Sequence, residues 1–408
     1  MAFCKDFVWG AASSAYQTEG FPTADGGGES VWDVFCRKPG AIANGEDGSV
    51  ACDGYHRFAE DINLLASLGL GAYRFSVSWA RIDPTGNGRW NEAGLRYYNR
   101  VVDCCLRHGV TPWMTLYHWE LPQALEVGGG WLRRETAEAF ARFAGMMAQH
   151  FGDRVSHFIT LNEPQIVLKL GYCDGIHAPG RRYPLPRLVQ CWKNLMLAHG
   201  LAFRAIRSTA PDAQIGIAST GKLCYPHTPA DEEAARNETF RLTDTDWMFT
   251  HPITLDAVCF GRVEPEPGVL SSLMRKISPE DWDIMHAIPD FIGVNSYNGS
   301  EIAADADGWP VYLPRPRGFP CTALKWPVTP EIMEYGYAFL YERYQLPLYV
   351  TECGLSCNDR IYLDGQVHDA DRIDFLHRYL LALRKGSERA DIRGFFHWSL
   401  TDNFEWHS

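Results

Sequence analysis

Eight short apolar runs, spaced roughly 40 to 80 residues apart, alternate with stretches of helical periodicity along the chain. No other feature narrows the fold as much, because regular strand–helix alternation builds a parallel sheet covered by helices. The runs are residues 7–10, 72–79, 113–119, 158–161, 214–218, 291–295, 348–351 and 394–398. They are rich in β-branched and aromatic residues, which suit a buried strand. Between them, Tyr55, Phe58, Ile62, Leu65 and Leu68 recur at helical spacing, with Asp53 placed to cap the start and Gly69 the end. Residues 91–109 carry Leu95, Tyr98, Val102 and Cys105 on one helical face, and Phe140, Phe143 and Met147 mark another. Eight such units predict an α/β fold with one (β/α)8 barrel and long βα loops over residues 1–408. No linker, low-complexity segment or short repeat divides them.

Charge and composition remove several functions. A net charge of -12 without a run of Lys and Arg argues against a nucleic-acid partner. No apolar stretch is long enough to span a bilayer. The segment Met1-Ala2-Phe3-Cys4-Lys5-Asp6 has no apolar core of a secretory leader, so the 12 scattered cysteines are read as reduced thiols in the cytoplasm. Their spacings, such as Cys104-Cys105 and Cys353 with Cys357, fit neither a zinc nor a redox motif. Gly26-Gly27-Gly28 lacks the ending of a phosphate loop, and no His-Glu-x-x-His is present. No metal and no cofactor is therefore expected, and no feature specifies an oligomeric state.

In barrels of this kind the chemistry lies at the carboxyl ends of the strands. The polar residues that fall there are Gln17, Arg74, His118, Asn162, Glu163, Asn295, Tyr297 and Glu352, with Trp398. Glu352 closes the seventh run, between Pro347 and Gly354, and Glu163 closes the fourth, before Pro164. Burying a charge at a strand end is unfavourable unless a partner or a reaction uses it. Each carboxylate alone also fits a structural salt bridge, His118 a core histidine, and Trp398 or Trp326 simple packing. Two carboxylates at two strand ends of one barrel are what glycoside hydrolysis requires.

The segments 7–10, 14–20, 73–79, 117–119, 160–164, 177–180, 351–354 and 398–406 resemble glycoside hydrolase family 1, the β-glucosidase family, and they span essentially the whole chain. The resemblance implies Glu163 as acid/base and Glu352 as nucleophile of a retaining β-glycosidase acting on a small-molecule β-glucoside. It implies that Gln17, His118, Trp119, Asn162, Glu405 and Trp406 hold the sugar, with Trp398 stacked beneath it. Trp326, in a loop-like segment after the sixth run, is read separately as facing a leaving group or as simple packing. Arg74, Asn295 and Tyr297 would tune Glu352, and the charge of Glu352 would keep Glu163 protonated. The family usually has Asn where this chain has Cys353. It also continues past the equivalent of Ser408, so the resemblance implies a barrel lacking the usual C-terminal helix. Two other readings stay open: a 6-phospho-β-glycosidase, which Glu405 opposes by charge, and a sugar-binding barrel without activity.

Overall fold

A computed structural model describes residues 3–408. Met1 and Ala2, the start of the segment read for a leader, lie outside the described residues. Eight parallel strands close a barrel: β1 (Val8–Ala12), β2 (Ala72–Ser76), β3 (Thr111–Tyr117), β4 (His157–Asn162), β5 (Gln214–Ser219), β6 (Phe291–Asn295), β7 (Leu348–Cys353) and β8 (Ile392–Trp398). Each pairs with its neighbour in sequence, and β8 closes on β1 with Val8 opposite Gly394. The strands β2, β6 and β7 are buried at every residue, as strands covered on both faces must be.

The barrel interior is a packed layer of Ala12, Ala72, Trp113, Ile159, Ala218, Phe291, Tyr349 and Phe396. The Trp113 ring centres it, 4.9 Å from the rings of Tyr349 and Phe396 and 5.3 Å from that of Phe291. Small residues on β1, β2 and β5 make room for large ones on β3, β6, β7 and β8. Outside, the helix Leu185–Thr209 packs against the helix Arg134–Phe151. Among the described residues no helix is long and apolar enough to cross a membrane.

Several local expectations are corrected. The second run ends as a strand at Ser76, because Ser78 accepts a hydrogen bond from Arg81 N and caps the short helix Trp79–Ile82. The third stops at Tyr117, and Trp119 turns away with φ +71°. Asp53 precedes the helix Gly54–Ser67 but does not cap it; its carboxylate lies 2.6 Å from His56 Nδ1. Leu68 is 64% exposed, because it lies in the final turn beside Gly69, whose φ of +77° ends the helix. A small sheet, Cys224–Pro226 with Ser300–Ala304 and Pro310–Tyr312, sits apart from the barrel and was not foreseen.

No helix follows β8 among the described residues. Residues 399–408 instead run back across the mouth of the barrel. They are held by backbone bonds from Leu400 N to Ala12 O (3.2 Å), Phe404 N to Gln17 O (3.2 Å) and Ala43 N to His407 O (3.1 Å).

Trp113→Ala should destabilise the fold by about 3–5 kcal/mol, the usual cost of emptying a buried aromatic site. A urea midpoint unchanged from the native chain would show that this interior layer does not carry the barrel.

Candidate active site

At the ends of β4 and β7 the ladder slips. The β4–β5 register shifts between Ile159 and Asn162, and the β7–β6 register shifts between Val350 and Glu352. Such irregularities re-aim side chains, and here they turn two carboxylates into one cavity of about 980 Å³. Glu163 leaves β4 in a left-handed conformation (φ 45°, ψ 60°) and its N–H donates to Ala218 O at 2.9 Å. Glu352 stays in the extended strand.

A single buried network joins the two. Arg74 Nη1 donates to Glu352 Oε1 at 2.6 Å and to Thr351 O at 3.0 Å, while Nε donates to Thr115 Oγ1 at 3.2 Å. Arg74 Nη2 donates to Asn162 Oδ1 at 2.6 Å. The same oxygen accepts from Asn295 Nδ2 at 3.1 Å, and Asn295 Nδ2 also donates to Glu163 Oε1 at 2.6 Å. Thr351 Oγ1 donates to Asn295 Oδ1 at 2.7 Å, which fixes the amide's orientation. Tyr297 Oη donates to Glu352 Oε2 at 2.7 Å. Glu352 thus holds a cation and a hydroxyl, and Glu163 holds only a neutral amide. Burial first, and the charge of Glu352 second, push Glu163 up to about 8. The sequence reading named only the second cause. It also assigned Asn295 to Glu352, whereas the Asn295 amide reaches Glu163.

The polar end of the cavity is built from His118, Trp398, Glu405 and Trp406. Burial, with the charge of Arg74, drives the His118 imidazole well below its ordinary value, so it is neutral. Its Nε2 lies 3.1 Å from Asn162 Nδ2, and its buried Nδ1 has no protein partner. Because an amide N–H can only donate, Nε2 accepts and Nδ1 carries the proton, a buried donor without a protein partner. The Trp398 ring stacks on His118 at 5.8 Å and 23°. Trp406 packs on Trp119 at 4.5 Å, and Trp119 Nε1 donates to Asn162 O at 3.0 Å. Glu405 is pushed up to about 7, by burial first and then by Glu352.

Gln17, foreseen at the sugar, is not brought to the cavity wall. It is fully buried; its Oε1 accepts from Ser14 Oγ at 2.7 Å and its Nε2 donates to Phe404 O at 2.8 Å. It therefore holds the segment that carries Glu405. Asn162 likewise lies behind the wall, within the network. Trp326 also lines the cavity, 39% exposed and 5.3 Å from the Tyr297 ring.

Other lining residues had no strand-end signal. Thr220 and Phe249 come from loops and Leu170 from the helical turn Val167–Asp174, and Phe249 is 41% exposed. His177 faces His407, Nε2 to Nδ1 at 2.9 Å, and burial pushes it down to about 3. Cys357, Asp359 and Asp369 offer ligand atoms within 4.8 Å of one another. Both carboxylates are ion-paired with Arg372, whose charge opposes a cation there.

The model for "Glycosyl hydrolase family 1" matches residues 1–408. The chain is 39% identical over 412 residues to Beta-glucosidase A of Thermotoga maritima, covering 99% of this chain and 90% of that one. It is 38% identical over 413 residues to a 1,4-beta-D-glucan glucohydrolase of Thermotoga neapolitana, covering 99% and 94%. The Thermotoga maritima β-glucosidase solved in complex with castanospermine superposes with a TM-score of 0.89 at 38% identity, covering 100% of this chain and 91% of that one. A closed parallel barrel, two carboxylates joined at its mouth and these matches lead to one conclusion: the chain belongs to glycosyl hydrolase family 1.

Proposed function

We propose that residues 1–408 act as one catalytic barrel, a retaining β-glucosidase that removes terminal non-reducing β-D-glucosyl residues from small β-glucosides or cello-oligosaccharides. The observation that carries this reading is the asymmetry of the two joined carboxylates: Glu352 is bonded to Arg74 and Tyr297, Glu163 to the Asn295 amide alone.

In the first step Glu352 attacks the anomeric carbon while Glu163 gives its proton to the glycosidic oxygen. The C–O bond to the aglycone breaks, an alcohol leaves, and a glucosyl ester remains on Glu352. In the second step Glu163, now a carboxylate, takes a proton from water. The oxygen of that water attacks the anomeric carbon and releases Glu352, so configuration is retained. Arg74 and Tyr297 hold the Glu352 oxygens in place for both displacements. His118, Glu405 and Trp406 offer donors and acceptors to the sugar hydroxyls, and Trp398 offers an aromatic face to its C–H groups. Trp326, Leu170 and Phe249 line the side from which the aglycone leaves. Supporting a cytoplasmic setting, all 12 cysteines are free thiols. The acidic net charge of -12 speaks against a nucleic-acid partner.

Against the 6-phospho reading stands Glu405. A phosphate on O6 would bring up to two negative charges toward a half-buried carboxylate whose own charge is already disfavoured.

Three measurements test the proposal. Glu352→Ala should lose several orders of magnitude in turnover, and added azide should restore part of it as the α-glucosyl azide; near-native hydrolysis would reassign the nucleophile. The acid form of Glu163 is complete at low pH and is lost as pH rises through about 8, so kcat/KM should fall on that alkaline limb. Glu163→Gln should abolish the limb, and a limb that survives belongs to another group. Finally, kcat/KM for p-nitrophenyl β-glucoside should exceed that for its 6-phosphate by at least about 100-fold. Equal values would favour the phosphoglycosidase.

A further inference from the structure

Behind Glu163 lies a chain of buried polar side chains that the reaction does not use. Gln165 Nε2 donates to Ser219 Oγ at 2.8 Å and to Thr250 O at 3.3 Å. Ser219 Oγ lies 3.0 Å from His251 Nδ1. Gln165, Ser219, Thr250 and His251 are all buried. The proton order follows from the donors. Gln165 supplies one N–H to the Ser219 oxygen, so the Ser219 O–H is free to donate to Nδ1 of a neutral His251. Burial favours that neutral form, pushing His251 down to about 3.

These bonds span three elements: the turn after β4, the end of β5, and the entry of the helix Pro252–Phe260. His251 O accepts from Leu255 N at 2.9 Å and opens that helix. The β5 exit is pressed against the same backbone. A Cβ on Gly221, whose φ is +159°, would come within 2.7 Å of His251 N. Gly221 and Phe249 also line the cavity, so the chain runs directly beneath the wall next to Glu163.

Glu163 needs such support. Its backbone sits in a region that side chains seldom occupy, and surrounding contacts must over-determine it. The β4–β5 ladder shifts register between Ile159 and Asn162, just before it. Its carboxyl group has one protein hydrogen bond, the Asn295 amide on Oε1. Its aim therefore depends on where the turn is held: by Glu163 N on Ala218 O at 2.9 Å, and two residues on by the Gln165 side chain. We propose that Gln165, Ser219 and His251 form a positioning tether that holds Glu163 in line with the glycosidic oxygen. None of the three touches substrate; they act through Glu163. The inference rests on the reading of Glu163 as the acid.

The alternative is a polar cluster that only fills the space between β5 and the helix. The two differ in how a defect depends on the leaving group. A misaimed acid harms substrates whose leaving group needs a proton, such as methyl β-glucoside, and spares dinitrophenyl β-glucoside, whose phenolate leaves unaided. The ratio of kcat/KM for these two substrates, measured on one preparation, does not depend on how much of the protein is folded. Ser219→Ala and Gln165→Met, which cut the tether at two points, should each lower the methyl-to-dinitrophenyl ratio at least about tenfold. Each should also displace the alkaline limb of the native profile. Equal losses on both substrates, or an unmoved ratio in both variants, would overturn the tether and leave the space-filling role. Glu163→Gln is the separate control: if it too leaves the ratio unmoved, the acid assignment falls, whatever the tether does.

Discussion

One guanidinium organises the mouth of this barrel. Arg74 is buried, and each of its three nitrogens donates to a protein oxygen on β3, β4 or β7. A buried charge with unmet donors would be strongly unfavourable, so these acceptors are as necessary to the fold as the charge is to the site. Asn162 Oδ1 then relays the arrangement to Asn295 and so to Glu163. Strands β2, β3, β4, β6 and β7 all contribute. Their relative heights are fixed by the parallel registers and by the aromatic layer around Trp113, so packing far below the mouth sets the spacing of groups at the top.

That network separates two identical side chains by environment. One carboxylate receives the cation and a phenol; the other receives an amide and the field of the first. Opposed environments for paired carboxyl groups are how one site holds an acid and a nucleophile together. The loop geometry serves the same end. Glu163 leaves the strand in a left-handed turn and Glu352 remains extended, so two residues at equivalent strand ends approach one space from different sides.

Much of this was legible from residue order alone. Alternating runs marked all eight barrel strands, because strands buried on both faces are apolar throughout and their ends carry the polar residues. Glu163, Glu352, Tyr297, His118 and Trp398 lie at or just past strand ends and Arg74 in the middle of β2, and all reach the mouth or its network. What residue order could not show was direction. Asn162 sits at a strand end and Gln17 in the short helix Ala15–Thr18 after the first strand, yet both point into the protein, Gln17 holding the Phe404 backbone and Asn162 the Arg74 side chain. Asn295 turns toward β4, because Thr351 holds its oxygen on the β7 side. Thr220, Phe249 and His177 lie on loops, where no periodicity marks a facing direction. Capping failed at Asp53 for a related reason: the left-handed backbone there sends the carboxylate to His56.

The polar end of the cavity depends on a segment with no regular structure of its own. Residues 399–408 carry Glu405 and Trp406, and three backbone bonds plus the Gln17 amide hold them to the barrel. Asp359 and Asp369 on the cavity lining are paired with Arg372, while of Glu163, Glu352 and Glu405 only Glu352 bonds the Arg74 guanidinium. Burial raises the other two, Glu163 to about 8 and Glu405 to about 7, so the pair carries fewer than two negative charges near neutral pH. A ligand suited to such a site is uncharged, can both donate and accept hydrogen bonds, and presents an apolar face to Trp398. A hexose meets all three conditions. The same balance explains why Gln17 is worth burying completely: its amide fixes the loop that brings Glu405 to the cavity without adding a charge of its own.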